Sequence, residues 1–573
     1  MIDTKPLCFF RNFLCLLVFL ALTGLWCKNF FSFSALNSHV MLDGDPALNA
    51  WALSWVTHAL STDWFNLLNG NTFYPHPGAI TLSEHMTGIA IFNLPLQLIT
   101  HNPWVGYNIA ILCAYILSAL GGYKLIAELT HSRLAGLWGG IFWAFCFFRV
   151  HHIGHLQILA YQWFPFIALY LLRTIKYPTY TNTLLLALFF ILQALTSWYL
   201  AVIASFFVLI IFICNMSPTN FNRQHFSVFL LSGILVLSAV LPFALSYIGT
   251  FNDSSLSDRL SAINTSSDQV KLLDFFFPPA STLWGALITD NKYWIWGENT
   301  LYIGYSACLL ALIGIRHGWR THRRLTITAL ALICMGFILA LGYSSASLGI
   351  KLPLYYVSQA FPLLAAMRAT QRYALLIYFG VLILSGFGIA GLTVNRKRLV
   401  RYILTAGFCG IFLLEVYPYK LPFGAALLYT PSALDMEIAS MRSADNKPTV
   451  ILHLPIHTAM PGYATPEATY MTDSTLHWGN ILNGFSGAEP LGFKKDMLTL
   501  NQIPTPQSLD LLKQYGVDIL AIHQTLVPER REMIKKYFLE TGLGEIRPVN
   551  REEYLVIFKR SNDTYNNASP SRQ

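Results

Sequence analysis

The stretch MLDGDPALNAWALSWVTHAL, residues 41–60, sets two acids, Asp43 and Asp45, on either side of a glycine and directly before a proline. Further along, SEH puts Glu84 beside His85, and VHHIGHLQ carries His151, His152 and His155. WGEN carries Glu298, and AMRATQRY carries Arg368 and Arg372. These residue types suit one kind of chemistry. A carboxylate whose pKa lies near the working pH can take the proton of an attacking hydroxyl within hydrogen-bond reach. An arginine offers a planar fork that grips a phosphate through two parallel contacts. Acids and paired arginines together fit transfer of a group from a phosphate-bearing donor to a hydroxyl.

Each residue also has a plainer reading. Asp45 before Pro46 sits where a helix N-cap is favoured, with proline at the first helical position. A lone arginine at a helix end snorkels to headgroups, and a lone histidine there commonly just sits at the interface. Asp43 has no capping role to explain it. The balance shifts because topology brings all these residues to one boundary of a membrane, where an ionisable group is a functional hypothesis by default.

That topology starts from composition. Hydrophobic residues make up 54% of the chain and charged ones 12%, and the mean hydropathy is +0.48. A soluble domain carries about twice that share of charge. The net charge of +9 gathers in short loops between apolar runs, which is a topology signal and argues against a nucleic-acid partner. Cys15, Cys113, Cys146, Cys214 and Cys334 lie in apolar runs, without the spacing of a disulfide framework or a zinc site. Lys5 and Arg11 precede an apolar stretch with no small-x-small cleavage site, which reads as an uncleaved first helix starting in the cytoplasm.

Holding the basic loops inside gives spans near 12–27, 105–128, 134–150, 160–173, 226–249, 302–316, 325–342, 370–393 and 400–417. The run 182–214 must supply two more, broken near TSWY, for about eleven in all. The fold class expected is an α-helical polytopic membrane protein: a membrane module over 1–420 and an α/β domain over 421–573. Outer loops fall at 29–85 and 250–300, and the run 87–100 reads as interfacial or re-entrant. From Pro46, apolar residues at 48, 51, 52, 55, 56 and 59 share one helical face, with Ser54, Thr57, His58 and Ser61 elsewhere. With Trp51, Trp55 and Trp64, this reads as a helix lying on the membrane surface. In the tail, PTVILHLPI, DILAIHQ and EYLVIFKR read as strands and TPQSLDLLKQYG as a capped helix, while the last dozen residues read as disordered.

This architecture, with acids and a helix in the first long loop, a second long loop and a soluble tail, resembles the GT-C glycosyltransferases. More narrowly, GDPALNAWALSW, FYPHPGAITLSEH, HNPWVGYNI, GHLQ, WGENTLYIG and MRATQRYALL are similar to a group of bacterial GT-C-like membrane proteins. The resemblance covers most of residues 30–395 and, loosely, LLKQYGVDIL in the tail. It implies an inverting sugar transfer at the periplasmic face of the inner membrane, from a polyprenyl-phosphate donor to a lipid, glycan or protein acceptor. Asp45 or Asp43 would be the base, and Arg368 and Arg372 would hold the lipid phosphate. Glu84, His85, His152, His155 and Glu298 would complete substrate binding. The oligosaccharyltransferase branch uses an acidic second outer loop toward a metal; histidines stand there in this chain, so a divalent metal stays open. Two rivals remain. One is a transporter or lipid flippase, disfavoured by the lack of paired halves or inverted repeats. The other is a non-enzymatic envelope assembly protein whose acids merely cap a helix.

Overall fold

The computed structural model describes residues 5–28, 32–39, 44–252, 270–288, 300–345, 350–360, 367, 369–418, 427–445, 449–457 and 464–558. The site candidates Asp43, Glu298 and Arg368 lie outside the described residues, as does the end of the tail. The chain divides into two compact units. One comprises 1–42, 84–249 and 256–428, and the other 43–83, 250–255 and 429–573.

The first unit is helical. Among the described residues, eight helices are long and apolar enough to cross a membrane: Pro103–Thr130, Arg133–His151, Leu156–Lys176, Trp198–Asn215, Arg223–Thr250, Arg323–Ala340, Thr370–Thr393 and Arg398–Val416. Phe13–Cys27, Thr87–Thr100 and Tyr180–Ala194 are shorter apolar helices. At 14 residues, Thr87–Thr100 is about 21 Å long, short of a hydrocarbon core of about 30 Å. The run 182–214 does break at TSWY. The Tyr180–Ala194 helix stops there, and extended Ser197 (φ −161°, ψ 135°) caps the Trp198–Asn215 helix by accepting the Leu200 N–H. The buried Ala374–Thr393 helix packs on Tyr305–Thr321 through glycine. A Cβ on Gly314 would fall 1.7 Å from the Leu384 carbonyl oxygen, and one on Gly388 would fall 2.1 Å from that of Leu310. Such close backbone approach is how small residues join helices where lipid removes the hydrophobic drive. It fixes the helix that directly follows the 3₁₀ turn Thr370–Tyr373 carrying Arg372.

The second unit is α/β. Its strands β1 (Val450–Leu454), β2 (Asn480–Ile481), β3 (Ile519–Ile522), β4 (Gly544–Pro548) and β5 (Tyr554–Phe558) form one sheet in the order β2-β1-β3-β5-β4. β1 runs parallel to β2 and β3, while β5 is antiparallel to β3 and β4. Val450–Leu454 and Ile519–Ile522 are buried throughout, as strands of a parallel pair covered on both faces should be, and His453 is the one polar residue in them.

The expected membrane-surface helix is corrected here. Asp45–Thr62 belongs to this second unit, and both its apolar face and Ser54 and Thr57 of its polar face are buried in it. Thr472 Oγ1 donates to the Ala47 carbonyl over 3.1 Å, and His58 stacks on Trp478 with ring centroids 4.2 Å apart. Asn71 donates to Ser474 Oγ and to the Gly479 carbonyl, and its own carbonyl accepts the Ile481 N–H of β2. Of the three tryptophans, Trp51 is buried and Trp64 stays 67% exposed.

Candidate functional site

In the first unit, polar groups gather at the start of the Trp198–Asn215 helix. The first N–H groups of a helix have no partner within it. Glu84 supplies one: its carboxylate accepts from Ser197 Oγ at 2.9 Å and the Trp198 N–H at 2.8 Å, with Tyr199 N at 3.5 Å. Glu84 is buried, and burial pushes its carboxyl above the usual glutamate range against the pull of these donors and of Arg372. The Arg372 guanidinium lies 4.4 Å from the Tyr199 ring centroid, and its side chain is buried too. One helix start thus draws Glu84 and Arg372 into the same electrostatic environment.

His85 is fully buried. Its Nδ1 accepts the Thr87 N–H at 3.2 Å and lies 2.7 Å from Thr87 Oγ1, which leaves the proton on Nε2. The ring stacks on Phe243 with centroids 4.6 Å apart, and Nε2 has no hydrogen-bond partner among the described residues. Burial pushes its pKa down to about 3, so the ring is neutral near pH 7. His85 is therefore an uncharged donor rather than one of the cations of a phosphate site.

The histidine loop makes its own cluster. His152 Nδ1 lies 2.7 Å from the Phe148 carbonyl oxygen, and its ring lies 5.4 Å from that of His151 and 6.1 Å from that of His155. Just before them stands Arg149, one residue ahead of VHHIGHLQ, which the sequence did not single out. It is fully buried, donating to the Leu159 carbonyl at 2.8 Å and to Ser118 Oγ at 2.6 Å, with the Tyr161 ring 3.9 Å away. Among the described residues no carboxylate pairs with it. Ser197, Trp198 and Tyr199 were also missed as site residues; TSWY was read only as a helix break.

Asp45 falls in the other unit. Its expected N-cap role is corrected: Gly44 is the cap, its carbonyl accepting the Leu48 N–H at 2.9 Å, and Asp45 is the first helical residue with Pro46 next. A carboxylate in the first turn still stabilises the helix dipole, by about 0.3–1 kcal/mol.

Residues 13–413 match the family described as a domain of unknown function, DUF6311. The chain belongs to that family. No curated protein sequence matches this DUF6311 chain. The solved structure of the arabinofuranosyltransferase AftD from Mycobacteria matches it with a TM-score of 0.56 at 12% identity, covering 98% of this chain and 40% of that one. A mutant AftD structure gives 0.53 at 13% identity, covering 98% and 42%. The archaeal oligosaccharyltransferase AglB from Archaeoglobus fulgidus gives 0.45 at 11%, covering 97% and 75%, too distant to carry an argument. The likeness to AftD shows a shared fold, and this chain spans 40% of that enzyme's length.

Proposed function

We propose that this DUF6311 protein is an inverting GT-C membrane glycosyltransferase. In this reading it takes a sugar from a polyprenyl-phosphate donor to a lipid, glycan or protein acceptor. About eleven spans lie in the bacterial inner membrane, with the N-terminus cytoplasmic and the C-terminal domain periplasmic. The supporting observation is the fold likeness to a glycosyltransferase along 98% of the chain. The acceptor oxygen attacks the anomeric carbon, the bond from that carbon to the phosphate oxygen breaks, and the lipid phosphate leaves with the electron pair. Asp45 or Asp43 takes the acceptor proton. Arg368 and Arg372 neutralise the leaving phosphate. His85, whose Nε2–H is left to donate, contributes to substrate binding together with His152, His155 and Glu298. Glu84 acts there through the helix start that it holds.

Sugar transfer is measured in membranes from cells making matched amounts of each variant. Asp45→Asn should lower transfer by roughly 10²–10⁴, the worth of a general base, with Asp43→Asn a smaller loss. Full activity in both variants sinks the mechanism. Arg372→Ala should weaken donor use far more than Arg396→Ala or Arg398→Ala. Equal effects from all three would reduce Arg372 to a membrane anchor.

A further inference from the structure

A second cluster, in the α/β unit, plays no part in that reaction. Asp435 lies in the first turn of the Ala433–Asp445 helix, His453 is the fourth residue of β1, and His523 directly follows β3. The chain leaves β1 for β2 on one side and comes back to β3 on the other. β1 and β3 therefore flank the point where strand order reverses, and open α/β sheets bind ligands outside the carboxyl ends of strands at such a point.

One donor atom from each of Asp435, His453 and His523 lies within 4.8 Å of the other two, and all three residues are buried. His453 Nδ1 and His523 Nε2 are 2.9 Å apart, and Asp435 Oδ1 is 3.7 Å from His453 Nε2. Asp435 Oδ2, on the ligand side, is buried and makes no hydrogen bond among the described residues, and neither does His453 Nε2, the far nitrogen of the ring whose Nδ1 faces His523. Leaving such an atom unpaired in the interior is unfavourable. The surroundings orient the cluster from outside. His477 donates from Nε2 to Asp435 Oδ1 at 3.0 Å while its Nδ1 accepts the Gly479 N–H at 2.9 Å, and Glu553 Oε1 stands 4.0 Å from His523 Nδ1. Outer carboxylate and imidazole partners of this kind hold metal ligands in place.

We propose that Asp435, His453 and His523 bind a divalent cation of the zinc class, tying the Ala433–Asp445 helix to the two central strands. Two imidazole nitrogens with one carboxylate oxygen are a donor set that zinc takes. Bonds of about 2.0–2.1 Å in a tetrahedron put two nitrogen ligands roughly 3.3 Å apart. The ring nitrogens need only a slight widening from 2.9 Å. Binding replaces the hydrogen bond between the rings, and the proton between them shifts to the far nitrogen of its own ring, so both imidazoles coordinate in the neutral form.

The test uses the purified full-length chain in detergent, equilibrated with zinc chloride and freed of unbound metal by gel filtration. Elemental analysis should find zinc at one per chain, melting should rise with zinc and fall with a chelator, and cobalt should give a tetrahedral visible spectrum that zinc displaces. Asp435→Asn, His453→Gln and His523→Gln should each weaken zinc binding at least tenfold, whereas His322→Gln in the helical unit should not. Should a variant fail to fold, the wild-type cobalt spectrum and chelator-sensitive melting still decide. A wild type that retains no zinc and gives no cobalt band, or three folded variants that retain zinc as the wild type does, overturns the proposal.

Discussion

Two buried carboxylates in this protein meet their surroundings in opposite ways. Glu84 spends its acceptor capacity on the first N–H groups and the capping hydroxyl of a helix. Asp435 keeps one oxygen unspent, beside an imidazole that keeps one nitrogen unspent. A carboxylate satisfied by the backbone is part of the scaffold even when it sits among reactive residues. One left unsatisfied in a cluster of imidazoles points to a ligand. Burial alone does not separate the two; the count of satisfied atoms does.

The contrast yields predictions of decreasing size. Glu84→Ala strands buried donors and should destabilise the helical unit by about 3 kcal/mol, with Glu84→Gln milder. Chemical denaturation should return the same loss with and without zinc, and a zinc-dependent loss would break the contrast. For Asp435→Asn the zinc-dependent stability should disappear, about 2.7 kcal/mol when free zinc is 100 times the dissociation constant. The zinc-free stability should change much less.

His85 sharpens the comparison by pH. Its folded pKa, about 3, lies below the usual imidazole value of 6.5, so folding favours the neutral ring. The stability from this group is fully present above pH 6.5 and is lost as pH falls toward 3. Thr87 is hydrogen-bonded to its ring, and Trp198 and Tyr247 pack near it. Melting midpoints at pH 7 and pH 5 should converge in His85→Gln relative to wild type, and an unchanged pH slope would contradict the assigned neutral ring. The smallest effect belongs to Asp45→Asn, which should cost only the dipole contribution of about 0.3–1 kcal/mol in thermal melts. A larger loss would mean that its transfer defect is structural.

How much could be read from sequence depended on range. The TSWY break, the strands in PTVILHLPI, DILAIHQ and EYLVIFKR, and the Thr505 cap of Pro506–Gln514 are local signals, and each element is present. The Asp45–Thr62 helix was also legible as a helix, but a periodicity of 3.6 does not say whether its apolar face meets lipid or protein. Only the pairing with residues 468–481 decides that. His453 and His523 stood in quoted strands, each near the strand's carboxyl end. Their meeting follows from the parallel register of β1 and β3, a contact across 70 residues that no local pattern encodes. Arg149 and Tyr199 owe their places to contacts distant in sequence, with Leu159 and Ser118 for the first and Arg372 for the second.

The stitching of residues 43–83 into the α/β unit also has a consequence in time. Asn71 finds Ser474 across 403 residues of chain. At synthesis rates of about 5–20 residues per second, the early segment waits roughly 20–80 s before its partner exists. During that interval Asp45–Thr62 lacks Thr472 and Trp478, which bond to Ala47 and stack on His58 in the finished unit. The order of biogenesis is fixed: the α/β unit can close only after the last membrane helix has been made.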